Sequence, residues 1–160
     1  MNFLKNKFLW TAIILSFLGF LDAAYLTIIH YKNIIPPCSI AHGCETVLTS
    51  QYATIGPVPI ALLGVFFYLS CLGLLGSFFY SSSESALADK SRSQNDTSSR
   101  QARTIKNLLL LLTGLGALTA IALIGIQAFV LHAYCQYCLA SEAIDFLLFG
   151  CVWALWRKNK

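Results

Sequence analysis

Residues 107–156 read NLLLLLTGLGALTAIALIGIQAFVLHAYCQYCLASEAIDFLLFGCVWALW, two apolar runs interrupted by Cys135-Gln136-Tyr137-Cys138. In helical form each run can cross a hydrocarbon layer, which takes roughly 20 residues at ~1.5 Å rise. The residues between them suffice only for a turn. The runs are therefore antiparallel helices, and the two thiols lie at a bilayer face, at the mouth of the last helix. A C-x-x-C pair closes a small disulfide ring, and a thiol at a helix N-terminus has its thiolate favoured by unpaired N–H groups and the positive end of the helix dipole. The pair reads as a reversible redox couple. The same spacing also forms half of a zinc site, and spacing alone does not choose between them.

Working outward, 57% hydrophobic against 11% charged residues excludes a water-soluble globular domain. Two further apolar runs precede the quoted pair, giving spans at about 8–31, 58–80, 107–134 and 139–156. All are helices, because an isolated strand leaves its backbone unsatisfied in lipid. The expected fold is an all-α membrane protein, a single integral domain over 1–160 built as a four-transmembrane-helix bundle. The first run follows Lys5 and Lys7 like a secretion signal, but it is too long for one and is expected to be retained.

The net charge is +4, and its placement gives the orientation. Lys5 and Lys7 precede the first run, Lys90, Arg92, Arg100, Arg103 and Lys106 separate the second from the third, and Arg157, Lys158 and Lys160 follow the fourth. Only Lys32 lies on the other side. The positive-inside rule then puts both termini and a flexible, polar loop at 81–106 in the cytoplasm, with loop 32–57 outside. Topology accounts for these basic residues, so nucleic-acid binding has no support. Of the six cysteines, Cys38, Cys44, Cys135 and Cys138 fall on the outer side, where disulfides persist.

In the outer loop, Pro36-Pro37 stiffens the approach to Cys38-Ser-Ile-Ala-His-Gly-Cys44, a second pair whose spacing permits a disulfide. Gly43 is expected to supply turn freedom beside Cys44. His42 either favours the Cys44 thiolate or is a loop bystander. Val47, Leu48, Gln51 and Tyr52 follow helical spacing, predicting a short amphipathic helix against the bundle mouth. Gly56-Pro57-Val58-Pro59 then breaks that segment and begins the second long helix.

Several residues inside the spans carry chemistry. Asp22 in the first helix is an ionisable group within an apolar run, so it is either a functional acid or a hydrogen-bonded structural one. Glu142 and Asp145 lie about 6 and 10 Å below Cys138 on neighbouring positions of the last helix, and Asp22 comes to a similar depth. Three acids below a dithiol are difficult to explain as packing. Phe66, Phe67 and Tyr68 could wall a flat aromatic ligand or face lipid. Gly64, Gly73, Gly76, Gly114, Gly116 and Gly125 permit close helix contact. His132, three residues before Cys135, shares its face if the third helix persists that far, and is otherwise an interfacial anchor. Cys71 and Cys151 are about 20 Å below the outer face and read as packing residues.

Two thiol pairs at one face allow a relay: a loop thiolate attacks the C-x-x-C disulfide, and electrons move inward through a mixed disulfide. The inner pair then needs a two-electron acceptor in lipid, which a quinone supplies, with Asp22, Glu142 and Asp145 as candidate proton sources. The competing reading, a zinc or copper(I) site built on the four outer cysteines, leaves the membrane acids unexplained, and no metal is assigned.

The four-helix order, the C-x5-C pair Cys38/Cys44, Ser50 six residues later, Cys135/Cys138 at the mouth of the last helix and the stretch Leu63-Gly64-Val65-Phe66-Phe67-Tyr68 together resemble the vitamin K epoxide reductase family over nearly the whole chain. The resemblance implies that Cys138 faces the quinone, Cys135 exchanges with Cys44, and Ser50 assists near a quinone carbonyl, with Phe67 and Tyr68 beside it. It implies a ubiquinone- or menaquinone-type acceptor and a thioredoxin-fold electron donor, which must be separate because no such domain follows Lys160. It also implies a bacterial inner-membrane protein with a periplasmic cysteine loop. Vertebrate members contact the quinone head with an asparagine where Ile60 stands here, and they have a tyrosine where this chain has Glu142. That departure favours disulfide formation over the alternative, epoxide or quinone reduction in a vitamin K cycle.

Overall fold

The computed structural model describes residues 3–39, 43–87 and 92–157. In chain order the elements are α1 (Phe3–Tyr31), α2 (Cys44–Leu48), β1 (Thr54–Ile55), β2 (Val58–Pro59), α3 (Ile60–Leu87), α4 (Arg92–Gly125) and α5 (Gln136–Arg157). A 3-10 turn, Gln51–Ala53, links α2 to β1, and a π-helical turn, Ile126–Val130, extends α4. The segments Lys7–Tyr31, Ile60–Tyr80, Arg103–Val130 and Gln136–Arg157 are long and apolar enough to cross a membrane. The protein is an all-α, four-span membrane bundle, and large apolar side chains such as Trp10, Phe17, Leu111, Leu118 and Phe129 face outward.

α1 packs against α3 and α5, and α4 packs against the same two, so the long helices form a ring in the order α1, α3, α4, α5. The half of the bundle nearer the termini is filled by Leu9, Ala12, Cys71, Leu75, Phe78, Leu109, Leu148 and Val152. Cys71 is fully buried there, as the packing reading expects, and Cys151 packs against the same cluster. Nearer the cysteines, two aromatic rings of α3 need bare backbone opposite them. A Cβ at Gly19 would lie 2.3 Å from the Tyr68 ring, and one at Gly116 would lie 2.6 Å from the Phe67 ring. Gly73, Gly76 and Gly125 have open space instead of a packing partner, and Gly64 and Gly114 make ordinary or slightly tight contacts.

Boundaries depart from the sequence reading in physically simple ways. The segment read as a flexible loop at 81–106 is largely helical among the described residues, because α3 runs on to Leu87 and α4 starts at Arg92. An established helix adds residues at little cost, so it outlasts the apolar span. The third span is expected to stay helical to residue 134, but it widens into the π turn and stops at Val130. Leu131 N–H donates to Ile126 O at 2.9 Å, and Ala133 N–H donates to Gln127 O at 3.1 Å. The amphipathic helix of the outer loop ends at Leu48, and Ser50 Oγ donates to Val47 O at 2.8 Å there. Val58 and Pro59 do not begin the second long helix. They pair with Ile55 and Thr54 in a two-stranded hairpin whose turn uses Gly56 at φ 62°.

Candidate active site

The connector between α4 and α5 decides where the thiols go. His132 takes a left-handed φ of 47° and is exposed, so it does not share the face of Cys135 as a continued helix would require. The chain then runs without regular structure to Cys135, which directly precedes α5 and is completely buried. Cys138 N–H, in the first turn of α5, donates to Cys135 Sγ at 3.4 Å. The Cys138 thiol is the largest influence on Cys135. Against the cost of burial, and helped by the Cys138 and Tyr137 N–H groups, it lowers the Cys135 pKa to about 7.

The outer loop is seated on this connector. Cys38 and Cys44 form a disulfide with Cα atoms 6.0 Å apart, while Cys135 and Cys138 carry free thiols. Cys44, Val47 and Cys135 make one buried cluster, with Cys38, Leu48, Tyr137 and Cys138 against it. Tyr137 Oη donates to Pro37 O at 3.1 Å and Gln136 Nε2 donates to the same carbonyl at 3.4 Å. The two residues inside the C-x-x-C therefore hold the backbone just before Cys38. Gly43 does not serve turn freedom, since its φ is −108°. Its role is close approach, because a Cβ there would lie 2.7 Å from the Tyr134 backbone nitrogen. Replacing Gly43 with alanine is therefore expected to lift α2 off the connector and slow exchange between the two thiol pairs several-fold. Quench-and-alkylate kinetics would show this, and unchanged exchange would remove the contact from consideration.

Beneath the connector is a cavity of about 390 Å³, within the usual range for small-molecule sites. Cys138, Glu142 and Asp145 of α5 line it, with Phe67 and Tyr68 of α3, Gln127 of the π turn, and Ser50 above. Leu63 and Leu115, which also line it, are 47% and 62% exposed on α3 and α4, so the cavity reaches the lipid-facing surface between those helices. Its polar groups are ordered by hydrogen bonds across the bundle. Tyr68 Oη donates to Asp145 Oδ1 at 2.7 Å and lies 3.2 Å from Ser141 O. Gln127 Nε2 donates to Glu142 Oε1 at 2.9 Å, and Cys135 N–H donates to Gln127 Oε1 at 2.9 Å.

The fold brings together most residues expected at a quinone site: Cys138, Ser50, Phe67, Tyr68, Glu142 and Asp145 share one cavity wall. The adjacent Phe66 is 60% exposed and belongs to the lipid face. Asp22 is not on the wall. It accepts a hydrogen bond from Ser141 Oγ, and Ser141 lines the cavity together with Glu142 and Asp145. Cys38, Cys44 and Cys135 also lie outside the cavity lining, on the loop side. His42 falls outside the described residues. Among those residues no cluster of His, Cys, Asp and Glu has the arrangement of a metal site, and the loop sulfurs are bonded to each other. The sequence reading assigned no role to Gln127 or Ser141. A buried amide in an apolar run was the available signal for the first.

The apolar wall, the flat aromatic rings and the polar groups at one end suit a planar two-electron acceptor with ring oxygens. Residues 10–153 match the sequence profile of the vitamin K epoxide reductase family. No curated protein matches the chain. With a match over nearly its whole length, on a four-span bundle that carries paired cysteines at one end, the chain belongs to the vitamin K epoxide reductase family, whose membership implies a quinone-linked thiol oxidoreductase or epoxide reductase.

Proposed function

We propose that this protein is a quinone-dependent thiol oxidoreductase that forms disulfides in a separate thioredoxin-fold protein and passes the electrons to a membrane quinone of the ubiquinone or menaquinone type. The observation that carries the reading is the division between the inner thiols. Cys138 lines the cavity, whereas Cys135 is buried against Cys44 on the loop side. One thiol thus meets the acceptor and the other meets the donor.

The steps balance as follows. A thiolate of the partner attacks Cys38, the less buried loop sulfur, and releases Cys44. Resolution by the partner's second thiol leaves an oxidised partner and a loop dithiol. Cys44 thiolate then attacks Cys135 of a Cys135–Cys138 disulfide and displaces Cys138. Cys38 next attacks Cys44, which closes the loop disulfide and expels Cys135 as a thiolate. A thiolate whose conjugate acid has a pKa of about 7 is a good leaving group, so this resolution runs toward the redox state of the structure. The Cys135 and Cys138 thiols then re-form their disulfide, and a quinone held in the cavity would supply the acceptor for the two electrons and two protons released. Phe67 and Tyr68 would flank it, Glu142 and Asp145 would supply and recover protons near the ring oxygens, and Asp22 holds Ser141 beside them. Ser50 stands at the wall with its hydroxyl hydrogen directed to Val47 O, so its free lone pair faces outward as an acceptor.

The basic residues Lys7, Arg100, Arg103 and Arg157 are on segments at the opposite end from the thiols, which supports cytoplasmic termini and a periplasmic cysteine loop in a bacterial inner membrane. The deciding experiment is to add quinone to reduced, purified protein. Two thiols should be lost for each quinone reduced, and thiol oxidation without quinol formation would end the proposal. The Cys135 thiolate gives a second check. As pH falls through about 7 it is protonated, so alkylation of Cys135 in protein with a reduced C-x-x-C should be half-maximal near pH 7. Burial slows the reaction at every pH without moving that midpoint, and a midpoint in the usual thiol range would contradict the stabilisation described here.

A further inference from the structure

Gln127 occupies a position that the relay above does not use. It is 3% exposed, in a π-helical turn that interrupts an otherwise regular span, and a single turn of that kind often marks a functional position. Both ends of its amide are engaged. The Cys135 backbone N–H can only donate, so it must receive the amide oxygen, and this leaves the NH2 group facing Glu142. The NH2 group in turn can only donate, so Glu142 Oε1 must accept. The second carboxyl oxygen, Oε2, is buried and has no hydrogen-bond partner, while Glu142 itself is 3% exposed. The order is fixed at every link: thiol backbone, amide oxygen, amide nitrogen, one carboxyl oxygen. A proton carried by Glu142 must then reside on Oε2.

We propose that Gln127 is a positioning residue that ties the Cys135 backbone to Glu142, so that the oxygen carrying the transferable proton is selected by the same element that places the thiol. The proposal rests on the reading of Glu142 as a proton donor. It predicts that Gln127 and Glu142 act as one unit. Losing Gln127 removes the frame and losing the Glu142 proton removes what the frame orients, so losing the second adds little.

The test is a double-mutant cycle with Gln127→Met, which keeps the shape but removes both hydrogen bonds, and Glu142→Gln. Quinone reduction is followed in detergent with the reduced full-length chain. Each single variant is expected to lower kcat roughly 10- to 100-fold while the quinone KM stays within about twofold, and the double variant should fall within about threefold of the worse single. Losses that multiply, or a Gln127→Met loss confined to KM, would overturn the proposal, since a general packing defect gives those results. If Gln127→Met is not recovered folded, Gln127→Asn, too short to span both partners, is put through the same cycle with the same two outcomes deciding it. Wild-type protein that reduces no quinone would defeat the functional reading, whereas active wild type with multiplying losses would defeat only the role of Gln127.

Discussion

Replacing Cys138 with serine is expected to abolish quinone reduction, a loss on the order of 10³-fold or more, and to leave Cys135 able to form a mixed disulfide with Cys44 that only Cys38 can break. The same substitution at Cys135 should also abolish turnover but trap no bond to the loop. The asymmetry follows from position. Cys138 lines the cavity with Glu142 and Asp145, so without it the cavity proposed for the acceptor has no sulfur. Cys135 is packed with Cys44, so its sulfur is placed to exchange with the loop disulfide. With Cys138 gone, nothing resolves the resulting mixed disulfide toward the quinone. Peptide mapping under non-reducing conditions would identify the cross-link. Equal trapping of the loop through Cys138 in the Cys135→Ser protein would reverse the assignment of the two thiols.

The second large effect is expected from the acids. Glu142→Gln with Asp145→Asn should reduce kcat for quinone reduction by roughly 10²- to 10⁴-fold, the range for loss of general acid–base catalysis. Thiol exchange between the loop and the C-x-x-C should continue. The amide replacements preserve the surrounding hydrogen bonds: Tyr68 Oη can still donate to residue 145, and Gln127 Nε2 can still donate to residue 142. What they remove is the exchangeable acidic proton. Stopped-flow measurement of quinol formation, beside gel-based measurement of thiol exchange, separates the two half-reactions. Unchanged quinone reduction would make these carboxyls structural.

Much of this arrangement was legible in the residues because lipid restricts the alternatives. Apolar runs of that length can satisfy their backbones only as helices. Glu142 and Asp145 stood out because acids within an apolar span are costly, and helical rise placed them below Cys138. Less was legible where backbone geometry changes locally. The π turn at Ile126–Val130 depends on hydrogen bonds at its end, and no residue pattern announced it. It carries Gln127 to Cys135 and Glu142 and turns His132 outward, contrary to the continued helix expected from the apolar run. Gly43 was correctly singled out but for the wrong reason, because its neighbour Tyr134 is distant in sequence.

The sequence by itself determined four membrane helices, two thiol pairs gathered at one end, and acids one to two turns below the inner pair, since each follows from local periodicity, chain direction and the cost of charge in lipid. Only the tertiary structure decided that Asp22 stands behind Ser141 and that Gln127 joins thiol to acid, and it put Cys138 on the cavity and Cys135 on the loop, a division the residues alone left to family resemblance. Those relations depend on how a connector bends and on which distant side chains pack against it. Contacts between residues far apart in the chain have no period for a sequence to display.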